Sequence, residues 1–318
     1  MAEKTAQPPP KARVEDAEAA MDHVPGRTAG FTLIELLIAL LIGAVIGIAM
    51  VQVFLSQSRF MSRDSMSREA RASVVGGLGL IGSDLRMVEY SAGFSTGLVA
   101  TGSEPSDSSF TVRLPQAFAI TCNASTLVVP PYDTARLTFV GNAATRFDGY
   151  AVRAGNAGYT YYVVSGAWLT MPSSSTACAT PAPAITTSGG GIGLRLASLA
   201  SPLAPAPPRG TPVMLYVTAR YRIGNSTSFT APQRQALFIT IGGLNTEREL
   251  LAPLDTGAKF RYFDAASSDT ARTSPPADAT TIRGVQFILP GISPRIAQGR
   301  AGAEVSRVVT SIFFRNTP

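Results

Sequence analysis

Residues 31–55 read FTLIELLIALLIGAVIGIAMVQVFL, and the organisation of the whole chain follows from them. Between Glu35 and Arg59 lie 23 residues without a charge. As a helix they would extend about 35 Å, enough to cross a bilayer. A secretory signal would show a shorter apolar core followed by a small-x-small cleavage site. Here the small residues Ala29 and Gly30 come before the apolar run, so the order is reversed. An ordinary single-span anchor accounts for the length but not for Glu35. A carboxylate inside the membrane edge costs about 2.5–3.5 kcal/mol and needs a partner.

A cut after Gly30 would supply one. Phe31 would gain a free amine, and Glu35 would become the fifth residue of the mature chain. The amine of one subunit can then meet Glu35 of its neighbour and set the axial register of a growing filament. Gly30-Phe31-Thr32-Leu33-Ile34-Glu35-Leu36 resembles the signature of the type IV prepilin family. The resemblance implies that prepilin peptidase cuts between Gly30 and Phe31 and then methylates the Phe31 amine. The expected fold is α+β: a long N-terminal transmembrane and stalk helix packed on a β-rich, pilin-like globular head. The expected divisions are a leader (1–30), a transmembrane and filament-core helix (31–56), its amphipathic continuation (57–90) and the head (91–318). Translation is expected to start at Met21, giving the ten-residue leader MDHVPGRTAG with Arg27 near the span, in keeping with the positive-inside tendency.

Within the span, Gly43 and Gly47 form a small-xxx-small pair suited to helix packing. Two glycines also lower helix propensity by about 1 kcal/mol each against alanine. No proline occurs between Pro25 and Pro105, where major pilins of the family usually carry one.

After Leu55 the run turns polar, and apolar residues at Phe60, Met61, Val74, Val75, Leu78, Leu80, Ile81, Leu85 and Met87 predict a continuing helix with one buried face in its second part. Arg59, Arg63, Asp64, Arg68, Glu69 and Arg71 would face water or other subunits. Gly76, Gly77, Gly79 and Gly82 mark a place for a bend or break. Asp84-Leu85-Arg86-Met87, with Tyr90, resembles the helix end of the PilW-type minor pilins. Ser306 to Asn316 (SRVVTSIFFRN) resembles the closing strand of that branch.

The middle of the chain reads as β. Alternation appears in Phe110-Val112-Leu114, Leu137-Phe139, Tyr162-Val164, Val213-Leu215-Val217 and Leu237-Ile239-Ile241, each edged by turn residues. Further strands are expected at 258–263, 282–289 and 306–315. Stretches 173–191, 201–212 and 265–281 are loops by composition. Cys122 and Cys178 are the two cysteines, and in an exported head they would be paired. Tyr159, Tyr161, Tyr162 and Trp168 are expected in the core of the strands rather than on a ligand face.

Charge and composition narrow the function. Hydrophobic residues make up 45% and charged residues 15%, so a packed domain is expected rather than a disordered one. The net charge of +6 rests on arginine, with lysine only at Lys4, Lys11 and Lys259 and no two basic residues adjacent. A nucleic-acid surface usually shows local density, so DNA is not an expected partner, although spread charge of this kind suits a mild affinity for DNA or anionic lipid. The one histidine, His23, lies in the leader, which leaves no Ser-His or Cys-His pair and no histidine ligand in the mature chain. No enzyme activity, cofactor or metal is expected. The expected role is a minor pilin that primes pilus assembly or sits near the tip. Its partners would be prepilin peptidase, other major and minor pilins and the inner-membrane assembly platform. It would lie in the inner membrane with the leader cytoplasmic and the head periplasmic, then in the pilus at the cell surface. The alternatives are a minor pseudopilin of type II secretion and an adhesin or DNA-uptake pilin.

Overall fold

The computed structural model of the chain describes residues 31–90, 97–100, 102–123, 126–129, 147–153, 158–164, 168–171, 192–196, 207–230, 232–242, 246–264 and 270–316. Expectations for the leader, for Leu137-Phe139 and for 173–191 lie outside them. Two compact units divide between Ser56 and Gln57. Helix α1 (Leu33–Arg86) runs through that boundary.

In the first unit, α1 carries the uncharged run, and its apolar side chains are exposed: Leu37 is 56% and Phe54 71% accessible. The described residues contain one helix long and apolar enough to cross a membrane. The second unit begins with the rest of α1 and continues in strands. These are β1 (Glu89–Tyr90), β2 (Leu98–Val99), β3 (Ser109–Asn123), β4 (Thr126–Val129), β5 (Gly149–Arg153), β6 (Tyr159–Val163), β7 (Trp168–Met171) and β8 (Ile192–Leu196). Then follow β9 (Pro212–Thr230), β10 (Gln233–Ile241), β11 (Glu247–Leu254), β12 (Lys259–Asp264), β13 (Ile282–Ile292), β14 (Val305–Phe313) and β15 (Arg315–Asn316).

The main sheet is antiparallel and runs β12-β13-β11-β10-β9-β3-β4-β8-β7, with β14 on β13, β2 on β3, and β5 on both β6 and β9. Period-2 alternation explains its two faces. On β9, Val213, Leu215, Val217, Ala219, Tyr221 and Ile223 point inward and are buried. They meet the inward residues of β3 and β10 in register, as in the row Phe110–Tyr221–Ile239. Phe110 stacks on Tyr221 at 5.2 Å between ring centres and meets Phe260 edge-on at 4.8 Å.

The second part of α1 closes this core. Ala70, Val74, Leu78, Ile81 and Leu85 recur at the spacing of one helix face and are buried. Burying a side chain of this size is worth about 1.5–3 kcal/mol, so this stripe, more than propensity, holds the glycine-bearing segment helical. The expected break at the glycines does not occur. A side chain at Gly77 would collide with Leu251, so this glycine lets the helix approach the sheet, whereas one at Gly82 would make only ordinary contact with Ile312, at 3.7 Å from its Cδ1. The expected buried face also needs correction. Val75, Leu80 and Met87 point off the stripe, and Phe60 and Met61, 72% and 71% exposed, precede its first buried residue, Ala70.

The outer face of the sheet is a ladder of polar pairs. Arg222 donates to both carboxylate oxygens of Glu247, at 2.7 and 2.6 Å, and its guanidinium lies 4.9 Å from the centre of the Phe238 ring. Glu104 accepts from Arg220 at 2.5 Å and from Thr111 at 2.7 Å. Glu249 accepts from Ser226, Thr227 and Ser228. Burial pushes Glu104 and Glu249 up, but their hydrogen bonds, with the Arg220 charge at Glu104, outweigh it and hold both below the usual range.

A depressed carboxylate stabilises the fold above its unfolded pKa and loses that contribution as pH falls through the folded value. Thermal stability should therefore hold above about pH 4.3, the unfolded glutamate value, and decline below it. Glu104→Gln should flatten the decline in pH-dependent melting. An unchanged acid limb would mean that Glu104 is not among the groups responsible. Asp84, raised by burial, works in the opposite sense: its stabilising contribution is lost as pH rises.

Candidate functional site

The start of α1 gathers the residues on which the sequence reading turned. Gly30 lies outside the described residues; Phe31 is 88% exposed, and α1 begins two residues later. Helix starts leave several N–H groups without intrahelical partners. Here Thr32 and Glu35 satisfy two of them reciprocally. The Glu35 N–H donates to Thr32 Oγ1 at 3.3 Å. The Thr32 N–H and the Thr32 hydroxyl both donate to Glu35 Oε2 at 3.0 Å. This is a capping box, and it places the carboxylate where the helix dipole favours negative charge.

The geometry corrects one part of the sequence reading. Glu35 does not lack a partner within its own chain, because Thr32 holds one of its oxygens. The signal was present in the sequence as Thr32-Leu33-Ile34-Glu35, the T-x-x-E pattern of such a box. A carboxylate gripped through Oε2 by its own N-terminal turn can still turn Oε1 toward a cation. One turn further on, Leu36, Ala39, Leu40, Gly43 and Ala44 line a shallow apolar groove along the helix. A side chain added at Gly43 or Gly47 would meet nothing within 4 Å, so the small-residue face is open.

The other residues singled out by sequence lie in the head. Cys122 is the last residue but one of β3, is 4% exposed, packs with Val128 and is not a free thiol. Cys178 lies outside the described residues. Tyr162 stacks on Tyr150 at 5.1 Å, and Tyr161 meets Tyr216 edge-on at 5.4 Å, so these rings serve strand packing. The two segments that resembled the PilW-type branch lie side by side. β1, just after the helix end, pairs in parallel with β15, Glu89 opposite Arg315 and Tyr90 opposite Asn316.

Residues 26–51 match the family model described as the prokaryotic N-terminal methylation motif. No curated protein and no solved structure matches the chain. The motif, together with the long apolar helix behind it, is consistent with a prepilin-like protein. It implies processing by prepilin peptidase and handling by pilin assembly machinery in the membrane, and it points to membrane anchoring through α1.

Proposed function

We propose that this chain is a minor pilin, a low-abundance structural subunit that primes assembly of a type IV pilus or sits near its tip. The observation that carries the reading is Phe31 and Glu35 at the head of a continuous apolar helix whose second part is built into a β head. Before assembly the leader is cytoplasmic and the head periplasmic. Prepilin peptidase cuts between Gly30 and Phe31 and methylates the new amine. The assembly platform then draws α1 from lipid into a fibre alongside other major and minor pilins. The pairing of β1 with β15 supports a role like that of the PilW-type minor pilins, because it joins the two segments that resemble them.

Mass spectrometry of the mature N-terminus tests the reading. The chain should begin at Phe31 with one N-methyl group, and a bulky residue at Gly30 should block cutting. A mature start anywhere beyond Leu36 would overturn the assignment.

A minor pseudopilin of type II secretion shares the same processing, and co-purification with sheared pili separates the two. On the sheet's outer face Arg220 and Arg222 are engaged by carboxylates, so these two cations do not favour an adhesin or DNA-uptake role. We read the protein as structural, with no substrate turned over and no cofactor.

Cys122 and Cys178 are read as a bond in the exported head, of the kind typically worth about 2–4 kcal/mol. Thiol labelling of native protein should find neither free. Full labelling of both would remove the bond from the proposal.

A further inference from the structure

The loop between β13 and β14, residues 293–304, is a built surface that the filament role leaves without a use. The Ser293 N–H donates to the Glu304 carbonyl at 2.8 Å, and the Glu304 N–H donates back to Ser293 Oγ at 3.0 Å. Ser293 Oγ donates to the Arg295 carbonyl at 2.6 Å, and Ala297 is tucked in at 2% exposure. So pinned, the loop holds Ile296 outward at 58% exposure beside exposed Arg295. The loop lies against the first turns of α1 in the second unit. The Arg59 side chain passes over Gly299, and Arg63 and Arg300 share Glu304 at 3.2 and 3.3 Å. Two cations thus share one carboxylate. Among the described residues Arg59 and Arg295 form no ion pair. Phe60, 72% exposed, adds apolar surface to this basic patch.

The position of the patch identifies its partner. Arg59 and Arg63 follow Leu55, the last residue of the apolar run, by four and eight residues on one continuous helix. That places them about 6 and 12 Å beyond the run along the axis. The headgroup layer on one side of a bilayer is roughly 5–8 Å deep. Arg59, at this depth, reaches phosphates, while Arg63 lies beyond them, and exposed Ile and Phe suit the boundary between headgroups and acyl chains.

We propose that the 293–304 loop, with Arg59 and Phe60, is a membrane-surface contact that seats the head on anionic lipid headgroups while the subunit waits in the membrane. This rests on the membrane anchoring of α1. The test uses the full mature chain in nanodiscs of phosphatidylcholine alone or mixed with phosphatidylglycerol. A dansyl amino acid replaces Ile296 or, as a control, the exposed Asn225. Emission at 296 should shift to the blue only with phosphatidylglycerol. The shift should vanish in high salt and in the Arg59→Glu/Arg295→Glu variant, while position 225 stays unmoved. No shift, an equal shift in both lipids, or a shift that requires added DNA or a second copy of the chain would each overturn the proposal. Release of the chain by alkaline carbonate would overturn the anchoring and this contact together. Retention with an unshifted dye would overturn the contact alone.

Discussion

Glu35→Ala protein is expected to be cut after Gly30 and held stably in the membrane, yet to be missing from sheared fibres. Removing the carboxylate makes the span more apolar, so anchoring should not suffer. In the proposed fibre the change leaves the Phe31 amine of a neighbour without its partner. Breaking a buried pair by deleting one member costs about 3–5 kcal/mol, or a hundredfold and more in that contact. The capping box makes a sharper pair of variants available. Glu35→Gln can still reach back to the Thr32 N–H but carries no charge, so it should fail as alanine does. Thr32→Ala weakens the cap by about 1 kcal/mol and keeps the charge, so it should still enter fibres. If Glu35→Gln assembles at the wild-type ratio while Thr32→Ala does not, the cap and not the ion pair is what assembly needs.

Gly291→Val should be among the most damaging single changes in the head. β13 passes beneath α1 at this point. A Cβ there would collide with the Ala70 carbonyl oxygen and come within 2.6 Å of Val74 Cγ2. The obstacle is helix backbone, which cannot rotate aside as a side chain can. Overpacking of this kind costs about 3 kcal/mol, which for a head of this size means a melting temperature lower by roughly 6–12 °C. Gly302→Ala, where an added Cβ meets nothing within 4 Å, is the control and should melt within a degree or two of the wild type. Gly77→Ala should fall between them, because it meets only the flexible end of Leu251. Equal melting of Gly291→Val and Gly302→Ala in scanning calorimetry would mean that α1 does not press on β13.

What the residues reveal unaided is what local period and local chemistry encode. The span, Glu35 and the strands around Phe110, Val213 and Leu237 were legible because alternation and charge are read from neighbours in sequence. The glycines of α1 were misleading for the same reason. The meaning of Gly77 lies in Leu251, which no local window contains. The buried face lies in the second part of this run, beginning near Ala70, and Phe60 and Met61 before it stay exposed. The order of the sheet was hidden too, since it joins strands that share no local signal. Thr32 was legible and was overlooked: a capping pattern at the edge of a membrane span serves the helix start and the carboxylate at once.

The reach of the sheet also sets a schedule. Ser109 on β3 pairs with Arg222 on β9, over a hundred residues later, and Gly291 on β13, which packs on Ala70 and Val74 of α1, is over two hundred residues beyond them. If the head crosses the membrane as it is made, at about 5–20 residues per second, β3 waits roughly 6–20 seconds for its neighbour. The stripe Val74, Leu78, Ile81 and Leu85 waits about twice as long. Through that interval a half-emerged subunit is already tethered by its helix while its stickiest surfaces have nothing to cover them.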